Sequence, residues 1–258
     1  MKKRTLISLT ILAHLSYACV HAAIVVGSTP ANPADINGDT SMTLDIDAGS
    51  DVVLLLSLTR RNSLAPTVTL DWTGGTGVAV TELVTVDAGT NRSNSIFGIE
   101  LGTVGAVETV TFNFDTSDGR AAATGIQLLG ATLTGYGSTS DSFNSNGTLT
   151  GDLTGVAEGS FVFANMSNAT PVSTLNFSAP SEVQFSELST GRDSHRSAYD
   201  LDVAAGTYSV SGTVAGAGGA DFSSLTAVSI VAIPEPGTLA LVGVAGICAL
   251  AFIRNRKS

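Results

Sequence analysis

Between residues 23 and 233 the chain is written in short β-forming runs cut by glycine-rich turns. Val52 to Thr59, VVLLLSLT, is apolar at nearly every position and too short for a core helix, so it reads as a strand covered on both faces. Thr67 to Trp72, TVTLDW, alternates and stops at Thr73-Gly74-Gly75; Val78 to Val86, VAVTELVTV, alternates again. Thr43 to Ile46, Ser95 to Leu101, Val107 to Phe114 and Gly125 to Thr134 continue the pattern. Gly159 to Ala164, Glu182 to Leu188, Ala198 to Val203, Thr207 to Val214 and Leu225 to Val231 carry it through the second half. No stretch sustains a 3.6-residue period. The pattern predicts an all-β body, a jelly-roll-like β-sandwich. About 210 residues suffice for one large or two small domains of that class. Gly135 to Gly151 is poor in apolar residues and reads as a loop, a candidate internal boundary over 135–151. No internal repeat stands out.

Stability must come from sheet and core alone. Cys19 and Cys248 both lie outside 23–233, so no disulfide can form within that span. The same span holds six basic and 21 acidic residues and no lysine, a net charge near −15. Such a surface repels nucleic-acid backbones and anionic headgroups. It suits solubility, cation binding and a hydrated matrix.

The two ends carry an address. Met1-Lys2-Lys3-Arg4 is a basic opening, Thr5 to Ala18 an apolar stretch, and Val20-His21-Ala22 a cleavage site, so 1–22 reads as a secretory signal peptide. At the other end, Ile233-Pro234-Glu235-Pro236 continues neither helix nor central strand. Uncharged Gly237 to Ile253 follows, about 17 residues or roughly 25 Å as a helix, near the minimum for one membrane crossing. Arg254, Arg256 and Lys257 close the chain as a cytoplasmic stop-transfer cluster. Pro234-Glu235-Pro236, the apolar run and the basic cluster, over 233–258, resemble the PEP-CTERM sorting signal of Gram-negative bacteria. The resemblance implies processing by an exosortase, a membrane-embedded cysteine protease or transpeptidase, in exopolysaccharide-producing, biofilm-forming cells. It speaks of sorting, not of what the body does.

Signals for chemistry are sparse. His195 is the only histidine between 23 and 233. It could pair with Asp193 and a serine as a hydrolase triad, yet TGRDSHRSAYD reads better as a solvated charged loop, and no Gly-x-Ser-x-Gly elbow accompanies it. Asp35, Asn37 and Asp39 open with calcium-loop spacing. Thr40 and Ile46 occupy the places of the Gly and Glu of an EF-hand, which leaves a simpler calcium site of Asp35, Asn37, Asp39 and Asp45. Trp72, beside Gly74-Gly75, is a candidate carbohydrate platform, although a lone tryptophan ending a strand more often serves the core. The expected function is a non-catalytic, exported surface or matrix protein binding exopolysaccharide or cations, with no cofactor beyond calcium. The alternatives are a secreted hydrolase of matrix polysaccharide and a calcium-dependent adhesion module.

Overall fold

Val52 through Leu56 are all fully buried, although successive strand residues point to opposite faces. Such a strand needs another sheet packed against each side. A computed structural model supplies them; it describes residues 23–27, 34–35, 41–61, 67–87, 92–114, 121–144, 147–169, 174–185, 188–189, 193–216 and 222–233. The signal peptide, the apolar run Gly237–Ile253, and the motif and basic residues Pro234, Glu235, Pro236, Arg254, Arg256 and Lys257 lie outside them.

Among the described residues there are strands and no helix. The first half contains β1 (Val25–Val26), β2 (Ala34–Asp35), β3 (Ser41–Ile46), β4 (Gly49–Arg61), β5 (Val68–Trp72), β6 (Gly75–Ala79), β7 (Thr81–Asp87), β8 (Arg92–Val104), β9 (Glu108–Phe114) and β10 (Ala121–Leu129). The second contains β11 (Ala131–Asn144), β12 (Gly147–Val156), β13 (Ser160–Asn168), β14 (Thr174–Ala179), β15 (Val183–Gln184), β16 (Leu188–Ser189), β17 (Ser194–Val203), β18 (Gly206–Ala215) and β19 (Phe222–Ala232).

They form four antiparallel sheets. An outer sheet β3-β9-β5-β6 faces an inner sheet β1-β10-β4-β8-β7, with β2 also on β10. A second inner sheet β11-β19-β13-β17-β15, with β16 on β17, faces a second outer sheet β12-β18-β14. Three separate cores define the stacking. Leu54, Leu56, Leu58 and Phe97 meet Leu44, Leu70, Val110 and Phe112 in the first sandwich. Val162, Ala164, Met166 and Leu225 meet Leu149, Leu175, Phe177 and Val210 in the second. Val53, Leu55, Ile126 and Leu128 meet Phe161, Phe163, Tyr199 and Val228 in a seam between the two inner sheets. The odd residues of β4 serve the seam and the even ones the first core, as the pleat requires.

The halves repeat one another. β3, β4, β5, β8, β9 and β10 occupy the same sheet positions as β12, β13, β14, β17, β18 and β19; β1 and β2 edge β10 as β11 edges β19. This is the jelly-roll strand order, twice. Leu56 lies between Phe97 and Gly125, and Ala164 between Ala198 and Ala227. Counting outward from that pair, β8 gains a residue at Val52/Val53 and β17 gains one at Ser160/Val162. Asp51 and Gly159, each one residue earlier, both have positive φ, 52° and 74°. The expectation of no repeat is therefore wrong for the fold. The residues at equivalent places differ in size and polarity, so backbone pairing preserves a correspondence that side chains hide.

The equivalence exposes one defect. Where the first core has Val52, the second has Ser160, fully buried, with a hydroxyl that has no hydrogen-bond partner among the described residues. A buried, unpaired hydroxyl costs about 1–3 kcal/mol. Ser160→Ala is expected to stabilise by about 1 kcal/mol, raising Tm by about 2–4 °C in a calorimetric scan; an unchanged or lower Tm would count against it.

Several sequence expectations need correction. Of the segment 135–151, expected as a loop, residues 135–144 belong to β11 and 147–151 to β12. β11 is an edge strand, half exposed, so Ser, Thr and Gly satisfy it where a central strand would need apolar residues. The single strand expected over Gly125–Thr134 breaks at Gly130, φ 71°, and its parts join different sheets. Val78–Val86 likewise divides between β6 and β7. Segments 147–156 and 174–179 were not anticipated as strands, because their alternating Thr, Ser and Asn resemble turn composition.

Candidate functional site

Of the four predicted calcium residues, the structure describes the backbone of Asp35 and the side chain of Asp45. Asp35 pairs with Ala122 along β2 and β10. Asp45, exposed on β3, accepts a 2.6 Å hydrogen bond from Thr109 Oγ1. Asn37 and Asp39 lie outside the described residues. Among those described, no three His, Cys, Asp or Glu side chains converge as a metal site.

Trp72 ends β5 half-buried, packed against the first core. Its six-membered ring lies over Gly74: a Cβ there would collide with the ring, so only glycine fits the turn. Two carboxylates lock this corner. Asp71 accepts from the Gly77 amide at 2.6 Å and from Asn113 Nδ2 at 2.9 Å; Glu108 accepts from the Thr73 amide and Oγ1, both at 3.0 Å. Val107, 70% exposed, stands next to Glu108. The corner places a half-buried indole, an exposed valine and two carboxylates fixed by hydrogen bonds along one stretch of surface.

The same device recurs around the molecule. Glu100 accepts from the Leu133 amide at 2.5 Å and from Thr132 Oγ1 at 2.7 Å. Asp141 holds the Thr150 amide, Glu158 the Ala205 amide and Glu182 the Leu201 amide, each at 2.8–2.9 Å. Asp200 takes the Ser181 and Glu182 amides at 2.7 and 2.6 Å, and its other oxygen accepts from the Tyr208 hydroxyl. Burial, together with that carboxylate, pushes the Tyr208 phenol up. Much of the acidic excess thus ties strand ends together in a body without disulfides, through charge-assisted bonds. Asp200→Asn is expected to cost about 1–2 kcal/mol, with hydrogen-exchange protection lost first at Ser181 and Glu182; full protection there would refute the clip.

The seam departs furthest from sequence expectation. His195, expected on a solvated loop, lies in β17 and is fully buried. Its Nδ1 is 2.9 Å from Thr59 Oγ1, and its Nε2 is 3.0 Å from Thr124 Oγ1 and 3.4 Å from Ser197 Oγ. Burial holds its pKa down to about 3, so the ring is neutral. One ring nitrogen donates, the other accepts, and the hydroxyls turn to match. Around it Ser57 Oγ meets Ser197 Oγ at 3.0 Å, and Asn165 Nδ2 donates to Asn94 Oδ1 at 2.6 Å. Thr226 Oγ1 donates to Asn94 Oδ1 at 3.2 Å. The pattern is near-symmetric. Asn94 and His195 occupy equivalent places, and so do Thr124 and Thr226; each of the first two bonds to the threonine of the other half. Arg92, at the start of β8, pairs with Asp193 before β17 at 3.6 Å. His195 is engaged by hydroxyls and sealed from solvent, so it cannot act as a general base on a substrate in this conformation. Sequence reasoning missed Asn94, Asn165 and Thr124; the available signal was Ser57 and Thr59 interrupting an apolar strand on one face.

The last strand delivers the chain to its tail. β19 ends at buried Ala232. Residues 232–257 match the family model described as the PEP-CTERM protein-sorting motif. The chain carries a PEP-CTERM tail. That motif marks an exported protein sorted by an exosortase-type enzyme to the cell surface. The match covers the tail and leaves the stacked body outside it. No curated protein matches the chain.

Proposed function

We propose that the body is a non-catalytic surface or extracellular-matrix protein, presented by its PEP-CTERM tail and binding neutral segments of exopolysaccharide at the Trp72 corner. The observation that carries this reading is the hand-over at residue 232, where a doubly covered β-stack passes directly into the sorting motif. The run Gly237–Ile253 holds the chain in the inner membrane until processing. Two further features support the reading: the one histidine of the body is sealed in the seam, and the carboxylates around Trp72 are engaged with backbone amides.

The test uses purified body and the host's own matrix polysaccharide. Binding followed by isothermal titration calorimetry, without release of reducing ends, and weakened about tenfold or more by Trp72→Ala, is the expected result. Release of reducing ends would make the protein a hydrolase. Binding that Trp72→Ala leaves unchanged would remove the corner from the account. For the cation reading through Asp35, Asn37, Asp39 and Asp45, a Tm that moves between calcium and EDTA is expected, and an unmoved Tm would dismiss it.

A further inference from the structure

We propose that a second copy of this chain is a partner, through exchange of halves: residues 23–129 of one chain close their seam against residues 131–233 of another. Each half has its own sandwich core, so neither depends on the seam for its internal packing. The seam is built from both halves and holds an apolar cluster beside a hydrogen-bonded polar network. It makes the same contacts whichever chain supplies each side. Its two faces are also matched to one another: Val53 and Leu55 in the first half stand where Phe161 and Phe163 stand in the second. Two first halves would leave a void and two second halves would collide, so first pairs with second.

The joint between the halves is one residue, Gly130, at φ 71° between β10 and β11. The sequence on either side, GIQLLGATLT, is written as one continuous strand. Extending Gly130 would merge β10 and β11, satisfy that pattern and direct the second half away from its own first half. A one-residue joint between two self-sufficient modules, at a glycine that leaves positive φ at little cost, is the arrangement that favours exchange.

The test is run in full-length chain with Cys19 and Cys248 replaced by alanine. A Ser57→Cys protein is mixed with a Ser197→Cys protein, passed through an acid pulse, returned to neutral pH at high concentration and oxidised. Those two hydroxyls are 3.0 Å apart across the seam. The expected product is a disulfide-linked dimer, with the thiol introduced at position 57 of one chain bonded to the thiol introduced at position 197 of the other. The double variant in one dilute chain should instead cross-link internally, which confirms that the pair can bond. Absence of the mixed dimer, where the double variant cross-links, overturns the proposal. Should the double variant fail to bond, Gly130→Val decides. A β-branched residue disfavours positive φ, so the dimer fraction by light scattering should rise about tenfold; an unchanged fraction overturns the proposal.

Discussion

Truncating Phe163 to alanine should lower the unfolding free energy by about 3–5 kcal/mol, the cost of a large cavity in a site that cannot collapse. The ring is fully buried in the seam. It stacks with Phe161 at a 6.4 Å centroid distance, and Phe161 in turn meets Tyr199 at 5.3 Å. Strands from two inner sheets fix its walls, so relaxation would have to move both sandwiches. Each sandwich keeps its own core, so the loss should fall on their coupling. Trp72 is the only tryptophan and reports the first sandwich. In urea, far-UV circular dichroism and Trp72 fluorescence should give coincident transitions in the parent and separated ones in Phe163→Ala. Coincident transitions with a loss under about 1 kcal/mol would mean that the seam does not join the halves.

Acid should weaken the protein through His195, by about 3 kcal/mol between pH 7.5 and 4.5. The ring's pKa is near 3 when folded and 6.5 when unfolded. The unfolded chain therefore binds the proton that the folded chain refuses. Stability is whole above pH 6.5 and falls as pH drops towards 3. Thr59 on β4, Thr124 on β10 and Ser197 on β17 face the ring with neutral hydroxyls. The charged residues described near that end of the packed strands include Arg60 on β4, Arg92 on β8, Asp193 before β17, and Arg196 on β17, whose guanidinium donates to the Phe185 and Leu175 carbonyls. Surface carboxylates contribute their own acid dependence, so the decisive measurement is a difference. His195→Gln keeps an amide donor and acceptor but has no proton to take up. Its urea midpoint should fall less steeply between pH 7.5 and 4.5 than the parent's. Parallel curves would remove His195 as the cause.

The acid clips and the seam explain different parts of the composition. Carboxylates at strand ends account for an acidic body without cysteine, because each holds backbone amides that no ladder strand reaches. Buried Ser, Thr and Asn in the inner sheets account for polar residues within otherwise apolar strands. The network they form is closed, with Asn94, Asn165, Ser57, Thr59, Thr124 and Ser197 all paired. A closed network fixes the lateral position of one sheet on another more sharply than apolar packing alone.

Local sequence was enough for the β class, the positions of most central strands, the absence of a body disulfide and the sorting tail. Each follows from local chemistry: period-two alternation, glycine punctuation, cysteine placement, and a contiguous motif whose parts need no fold. The tertiary structure alone decided that there are two jelly rolls, that their inner sheets meet, and that His195 lies at their junction. Those facts depend on which faces pair across many residues of separation. Ser57 and His195 are far apart in sequence, and nothing local distinguishes a serine facing solvent from one facing another sheet. The edge strands β11, β12 and β14 were hidden for the related reason that a strand satisfied on one face needs few apolar residues. Backbone hydrogen bonding, common to every residue type, made them strands once their neighbours were in place.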